Sequence, residues 1–347
     1  MNQEKQIKDK KLPLELIVFA YFLVWIPYIA LTRGLTNTPH GNMTRPLKGL
    51  EFIPVSLTLV LVFIYLFFTV SGWWKFAHHR VIFGISVPCP TKWTLLSAVG
   101  SSMLLVTVPL SYTFAGVSIP FIQLLMRGDV LLIAPIVDVV SGRKVRWYSW
   151  VALAMVAVAL IITIWDRGGF FLPPLCIVAI VIYTIGYFLR LGIMTKIAKT
   201  PDPSTMKRYF VEEQMVTYLL AILVLGLLAL IGQFDALLEI RWGFVEVWQS
   251  GAVWWIVPVG LFTAILAVYA AQILLDEREN TFCVPIERSA SILGGIAATY
   301  LLATIYGTPP PTNAELVGAV ILIAAIALLS LAPRFSRPKP MSLATKG

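Results

Sequence analysis

Apolar runs of about 20 residues recur from one end of this chain to the other, and that length is what crosses a bilayer as a helix. Little else is left to fold: spans are expected at 14–32, 51–72, 93–113, 117–139, 147–165, 171–194, 210–231, 252–274, 283–304 and 314–332. These ten helices predict an all-α integral membrane protein without a large soluble domain. The composition agrees. Only 13% of the 347 residues are charged and 58% are hydrophobic, against about 25% charged in soluble domains. Pro27, Pro109, Pro120, Pro135 and Pro258 fall inside spans, where neighbouring helices and polar side chains can satisfy the freed carbonyls.

The first run continues to about Thr32 with no small-residue cleavage site, so it reads as a retained signal anchor and not as a cleavable signal peptide. Under a ten-span topology with the N-terminus inside, cytoplasmic segments hold 19 Lys and Arg and external segments hold 5. The remaining three, Arg127, Arg190 and Arg288, lie within spans. That asymmetry places both termini in the cytoplasm. It also accounts for the net charge of +9 without any nucleic-acid partner. The expected location is a bacterial inner membrane.

Cys89, Cys176 and Cys283 form no CxxC pair, and an odd count argues against a disulfide framework. His78 and His79 have no Cys or carboxylate at ligand spacing, so no metal site is expected. Trp73, Trp74, Trp147, Trp150, Trp165, Trp254 and Trp255 fall near span ends, as an interfacial belt should. Residues 232–251 place Phe234, Leu237, Leu238, Trp242, Val245 and Trp248 on roughly one helical face, which predicts a helix lying flat on the outer membrane surface.

Ten spans divide into two halves of five, and an odd number per half inverts the second half. Shifting the sequence by 165 residues places Pro120 on Pro285, Gln123 on Arg288, Gly142 on Gly307, Ala154 on Ala319 and Ala159 on Ala324. The matched stretches IPFIQLLMRGDV and VPIERSASILGG then begin the fourth and ninth spans. The expected organisation is a tail (1–13), a five-helix repeat (14–165), a second (171–332) and a C-terminal tail (333–347), with 198–210 joining the halves.

With its inverted five-helix halves, its polar breaks in the fourth and ninth helices and its small-residue fifth and tenth helices, the chain resembles the drug/metabolite transporter superfamily. Its bacterial EamA-like permeases are the nearest in style. The resemblance covers nearly the whole chain. It implies a substrate cavity between the halves, lined largely by the third, fourth, eighth and ninth helices with help from the first and sixth. Members export metabolites, exchange sugar phosphates or nucleotide sugars, or flip lipid-linked sugars. The long first external loop (33–50) and the extended 73–92 connection depart from the shortest members.

A charge at bilayer depth is expensive, by about 2.5–3.5 kcal/mol or more at a helix centre, so it faces protein or water and marks function. Gln123 and Arg127 share one face of the fourth helix; Asp129 points elsewhere, toward another helix. Asp138 lies nearer the cytoplasmic interface. In the ninth helix, Glu287 and Ser291 share a face with Arg288 beside it. Arg127 and Arg288 offer forks that hold carboxylate or phosphate bidentately, which predicts an anionic or zwitterionic small-molecule substrate. Ser291 and Gln123 would assist, Tyr112 and Tyr183 would line the path, and Glu287 would titrate as a proton-coupling group. Pro120 and Pro285 would break their helices beside the cavity. Gly294, Gly295, Ala297 and Ala298 would allow close helix contact. The competing arrangement has Arg127–Asp129 and Glu287–Arg288 neutralising one another and fixing only packing. Glu212 and Glu213 read as charges stabilising the start of the seventh helix.

The expected activity is therefore alternating-access transport of a small polar metabolite, with a proton or a counter-substrate as the coupling partner. A flippase for a lipid-linked sugar or phosphate is the alternative, and a homodimer is compatible with either. A receptor or a membrane enzyme fits less well: HExxH, GxSxG and Walker motifs are all missing, no catalytic residue stands out and no cofactor is called for.

Overall fold

The computed structural model describes residues 13–82, 84–128, 147–166, 172–198, 202–276 and 280–335. Within them the chain forms α1 (Leu14–Leu35), α2 (Gly49–Ser71), a 3-10 turn (Trp73–Phe76), β1 (His79–Ile82), β2 (Ile85–Pro88) and α3 (Lys92–Ser111). A further helix, α4, is described over 119–128. Then follow α5 (Trp147–Asp166), α6 (Pro174–Ile197), α7 (Pro203–Ile231), α8 (Asp235–Gln249), α9 (Val253–Leu274), α10 (Asn280–Tyr306) and α11 (Asn313–Phe335). Among the described residues, seven stretches are long and apolar enough to cross a membrane: α1, α2, α3, α6, α9, Ser204–Ile231 of α7 and Ile286–Tyr306 of α10. The chain is a multi-pass, helical integral membrane protein. Of the ten spans expected, α5 and α11 contribute shorter apolar stretches, and the fourth is described only over its first part.

Local chemistry sets the helix ends. Thr91 caps α3 by accepting from the Thr94 N–H. Gly72 and Gly232 take left-handed conformations to end α2 and α7. Asp202 caps α7 by accepting from the N–H groups of Ser204 and Thr205, with Pro203 in the first turn. The hydroxyl and N–H of Ser204 hold the Asp202 carboxyl down to about 2. A lowered pKa stabilises the fold at pH values above the unfolded carboxyl's own pKa. The Asp202 cap is therefore expected to be intact at neutral pH and to fail as pH falls from about 4 toward about 2. Helicity of an Asp202→Asn variant should lose that acid-dependent step.

α1 packs on α9 and α10, α3 on α6, α2 on α7 and α9, α7 on α3, and α5 on α11. Glycines let α3 and α6 meet backbone to backbone. A Cβ on Gly100 would lie 2.6 Å from the Gly186 carbonyl oxygen, and one on Gly186 would lie 2.7 Å from the Gly100 oxygen. Gly100→Val is expected to force the pair apart and lower the unfolding midpoint in detergent. Gly192→Ala, where a Cβ meets nothing within 4 Å, should be neutral or stabilising by up to about 1 kcal/mol.

The stretch expected to lie on the membrane surface is helical as α8. Its buried side is Ile240, Gly243 and Val247, packed against α2. Phe234, Leu238, Trp242, Val245 and Trp248 are exposed on its other side, so the apolar face read from the sequence is the one left uncovered. On the same side of the bundle, Glu51 accepts both guanidinium nitrogens of Arg45 at 2.9 and 2.6 Å and the Lys48 N–H at 3.0 Å. Lys48 in turn reaches Glu239 of α8 at 2.9 Å. The long loop 33–50 is thus pinned to α8. The 73–92 connection folds as an antiparallel hairpin with Ile82 opposite Ile85, which the hydropathy pattern did not reveal.

The two prolines expected to break helices behave otherwise. Pro120 sits in the first turn of α4, where a missing N–H leaves no intrahelical bond unmade. α10 runs helical through Pro285.

Candidate functional site

α1, α3, α4, α6, α7, α9 and α10 line a partly open cavity of about 140 Å³. α1 contributes Tyr21, Trp25 and Tyr28, α4 Arg127, α6 Tyr183, Tyr187 and Arg190, and α10 Glu287 and Arg288. Leu104, Leu105, Val108 and Pro109 of α3 and Leu266, Ala267, Ala270 and Leu274 of α9 also line it, together with Ser101 of α3, Gln214 of α7 and Thr263 of α9.

Arg127 and Arg288 meet at one atom. The Tyr183 hydroxyl oxygen accepts from Nη1 of Arg127 at 2.6 Å and from Nη1 of Arg288 at 2.5 Å. Aromatic faces support both cations. Arg288 lies 3.8 Å from the centroid of the Tyr187 ring, which stacks on Tyr183 at 15° and 6.1 Å. Arg127 lies 5.5 Å from the Trp25 ring.

The two guanidiniums differ in compensation. Arg288 has Glu287 beside it, Nε to Oε2 at 3.3 Å. Glu287 also accepts a short hydrogen bond from Tyr21. Arg127 is only 5% exposed and has no ion-pair partner among the described residues. Its Nε is buried without a hydrogen bond, as is the Nε of Arg288, so the two differ in the nearby carboxylate and not in that atom. Burying a charge is costly unless it is paired, so among the described residues Arg127 is the group that a bound anion would stabilise. Of the mutual neutralisation weighed from the sequence, the Glu287–Arg288 half is present. Asp129 and Asp138 lie outside the described residues.

Gln123 and Ser291 sit beside the cavity and do not line it. The Gln123 amide donates to the Ser291 carbonyl at 3.0 Å and to the Tyr112 hydroxyl at 3.3 Å, and the Ser291 hydroxyl donates to the Arg288 carbonyl at 2.8 Å. Gly295 leaves room for this seam between α4 and α10, because a Cβ there would lie 2.0 Å from Gln123 Oε1. Tyr112 does not line the cavity; its ring stands edge-on to two residues that do, Trp25 and Tyr28, at 6.4 and 6.2 Å. Arg33 braces this segment by donating to the carbonyls of Tyr112, Phe114 and Val117 at 2.9, 2.7 and 3.3 Å.

A second polar centre was misread from the sequence. Glu213 is fully buried ten residues inside α7 and is not a charge at the helix start. It holds Arg190 at 3.0 and 3.3 Å and accepts from Ser97, Ser101, Tyr209 and the Gln214 amide at 2.8, 2.7, 2.9 and 3.2 Å. Glu212, also fully buried, ties down the base of the hairpin. It accepts from the N–H groups of His78 and Thr91 at 3.0 and 3.1 Å and from the Thr94 hydroxyl at 2.9 Å. The helical spacing of Ser97 and Ser101 on α3, of Tyr209 and Glu213 on α7, and of Tyr21, Trp25 and Tyr28 on α1 was the available signal.

Among the described residues no group of His, Cys, Asp and Glu is placed to hold a metal ion. No protein-family model and no curated protein matches the chain. Thirteen solved chains match the structure. One, described only as "Crystal structure of protein", aligns over 93% of this chain and 99% of its own with a TM-score of 0.54 and 14% identity. At that identity the likeness concerns the fold alone.

Proposed function

We propose that this protein is a secondary transporter of a small anionic or zwitterionic metabolite, working by alternating access. The observation that carries the reading is the buried Arg127, without an ion-pair partner among the described residues, converging with Arg288 on the Tyr183 hydroxyl at the cavity. A fold with no ligand to bind would gain nothing by burying that charge, whereas a carboxylate or phosphate would bridge both forks.

The packing pattern supports two related halves. Exchanging α1 with α6, α2 with α7, α3 with α9 and α5 with α11 turns the α1–α9 contact into α6–α3 and the α2–α9 contact into α7–α3. The same exchange leaves the α2–α7 and α5–α11 contacts unchanged. This is the relation expected of the inverted repeat seen in the drug/metabolite transporters that the sequence resembles. In that reading the halves rock about the cavity, both termini are cytoplasmic, and the aromatic cluster at Tyr112 is the external gate. Glu287, which accepts from Tyr21 and lies beside Arg288, is the coupling group in that reading.

Counterflow into proteoliposomes tests this. Vesicles carrying the protein and preloaded with an unlabelled anion that the purified protein binds should accumulate the labelled form transiently above protein-free vesicles. Binding without any flux would leave a receptor and sink the transporter reading. Flux of a lipid-linked phosphate between leaflets, with none of soluble anions, would favour a flippase.

A further inference from the structure

We infer that the cavity takes a monoanion with a compact apolar body, a small monocarboxylate in the first instance, in preference to hydroxylated or doubly charged metabolites. The inference rests on the anion-transport reading above. Its ground is the make-up of the cavity lining. Arg127 and Arg288 converge on the Tyr183 hydroxyl, while α3 and α9 contribute chiefly apolar side chains, among them Leu104, Leu105, Val108, Leu266 and Ala267.

The polar groups on and beside the apolar wall are already occupied. The Thr263 hydroxyl donates to the Val259 carbonyl at 2.7 Å, and the Ser101 hydroxyl donates to Glu213 at 2.7 Å. The Gln214 amide donates to Glu213 at 3.2 Å, and its oxygen accepts from Tyr218 at 2.8 Å. A sugar or polyol entering here would give up hydrogen bonds to water and regain few on this wall, where the hydroxyl protons of Ser101 and Thr263 are already donated, a loss that apolar carbons do not suffer.

Charge and size point the same way. Among the described residues of the cavity and its adjoining centre, three guanidiniums (Arg127, Arg190, Arg288) face two carboxylates (Glu213, Glu287). Among these described groups the excess is a single positive charge, which a monoanion neutralises and a dianion overshoots. The volume of about 140 Å³ is close to the roughly 150 Å³ of an apolar cavity that accepts benzene. A ring or branched chain of that size, with its carboxylate on the two arginines, fills it.

Calorimetric titration of the purified protein in nanodiscs separates the alternatives. The probes are phenylacetate, 4-methylpentanoate, erythronate (a trihydroxy acid of similar size) and phenylacetamide, the uncharged counterpart. Phenylacetate and 4-methylpentanoate should bind at least about tenfold more tightly than erythronate or phenylacetamide, within the range that apolar pockets discriminate. Leu105→Asn, with the milder Ala267→Ser beside it, should narrow the gap to erythronate. Equal or tighter binding of erythronate overturns the apolar-body inference and leaves the anion reading standing. Phenylacetamide binding as well as phenylacetate, or no binding by any of the four, overturns both.

Discussion

Arg127→Met is expected to make the ligand-free protein no less stable, and to abolish anion binding. The two effects have one cause. Arg127 is buried with no carboxylate partner among the described residues and with an unbonded Nε, so replacing it by an apolar chain of similar volume removes a desolvation cost without stranding a counter-charge. With ligand, the loss is that of one partner in a buried, hydrogen-bonded charge pair, about 2–5 kcal/mol, or at least about 30-fold in affinity. Arg288→Met should lose binding by a similar factor yet destabilise the empty protein, because Glu287 loses the cation at 3.3 Å. Thermal unfolding in detergent with and without a bound anion reads both quantities. If Arg127→Met unfolds well below the wild type when empty, Arg127 is a structural residue and the site assignment fails.

Glu213→Ala carries the second large effect. It deletes the acceptor for Ser97, Ser101, Tyr209 and the Gln214 amide and strands Arg190 between α6 and α7. Breaking a buried pair from one side costs about 3–5 kcal/mol, enough to deplete the folded protein in a membrane preparation. Glu213→Gln keeps the shape but removes the charge and should fall between. The Arg190→Met, Glu213→Leu double variant removes both charges and should recover much of the loss. A double variant as unstable as Glu213→Ala would show that the hydroxyl network, not the ion pair, sets the stability. The recovered protein is also informative for flux, since Arg190 lines the cavity.

The membrane class, the helix positions and the convergence of Arg127 with Arg288 were legible in the sequence because each follows from local spacing and from the cost of a charge in lipid. What failed was assigning partners. Glu213 reads as a helix-start residue only if α7 begins near 210; the polar stretch 203–212 hides the fact that the helix starts at Pro203. Gln123 shares a helical face with Arg127, yet it turns to the α4–α10 seam, because Gly295 opens a space there that periodicity cannot report. The Glu212 contacts join residues more than a hundred positions apart, beyond the reach of any pattern within one helix. Pro120 was misplaced because a proline inside an apolar run marks a helix start as readily as a kink.

The hairpin's attachment has a consequence for how the protein is made. The N–H groups of His78 and Thr91 find their acceptor 134 and 121 residues later in the chain. Until α7 has been synthesised and inserted, the connection between α2 and α3 has no buried carboxylate to organise it. The early helices therefore lack this anchor for their connecting loop until α7 is present. A chain truncated before Glu212 should leave the hairpin open to proteolysis, and extension past α7 should close it. Biogenesis would then proceed by completing a pair of surfaces at a late checkpoint, not by finishing one half and appending the other.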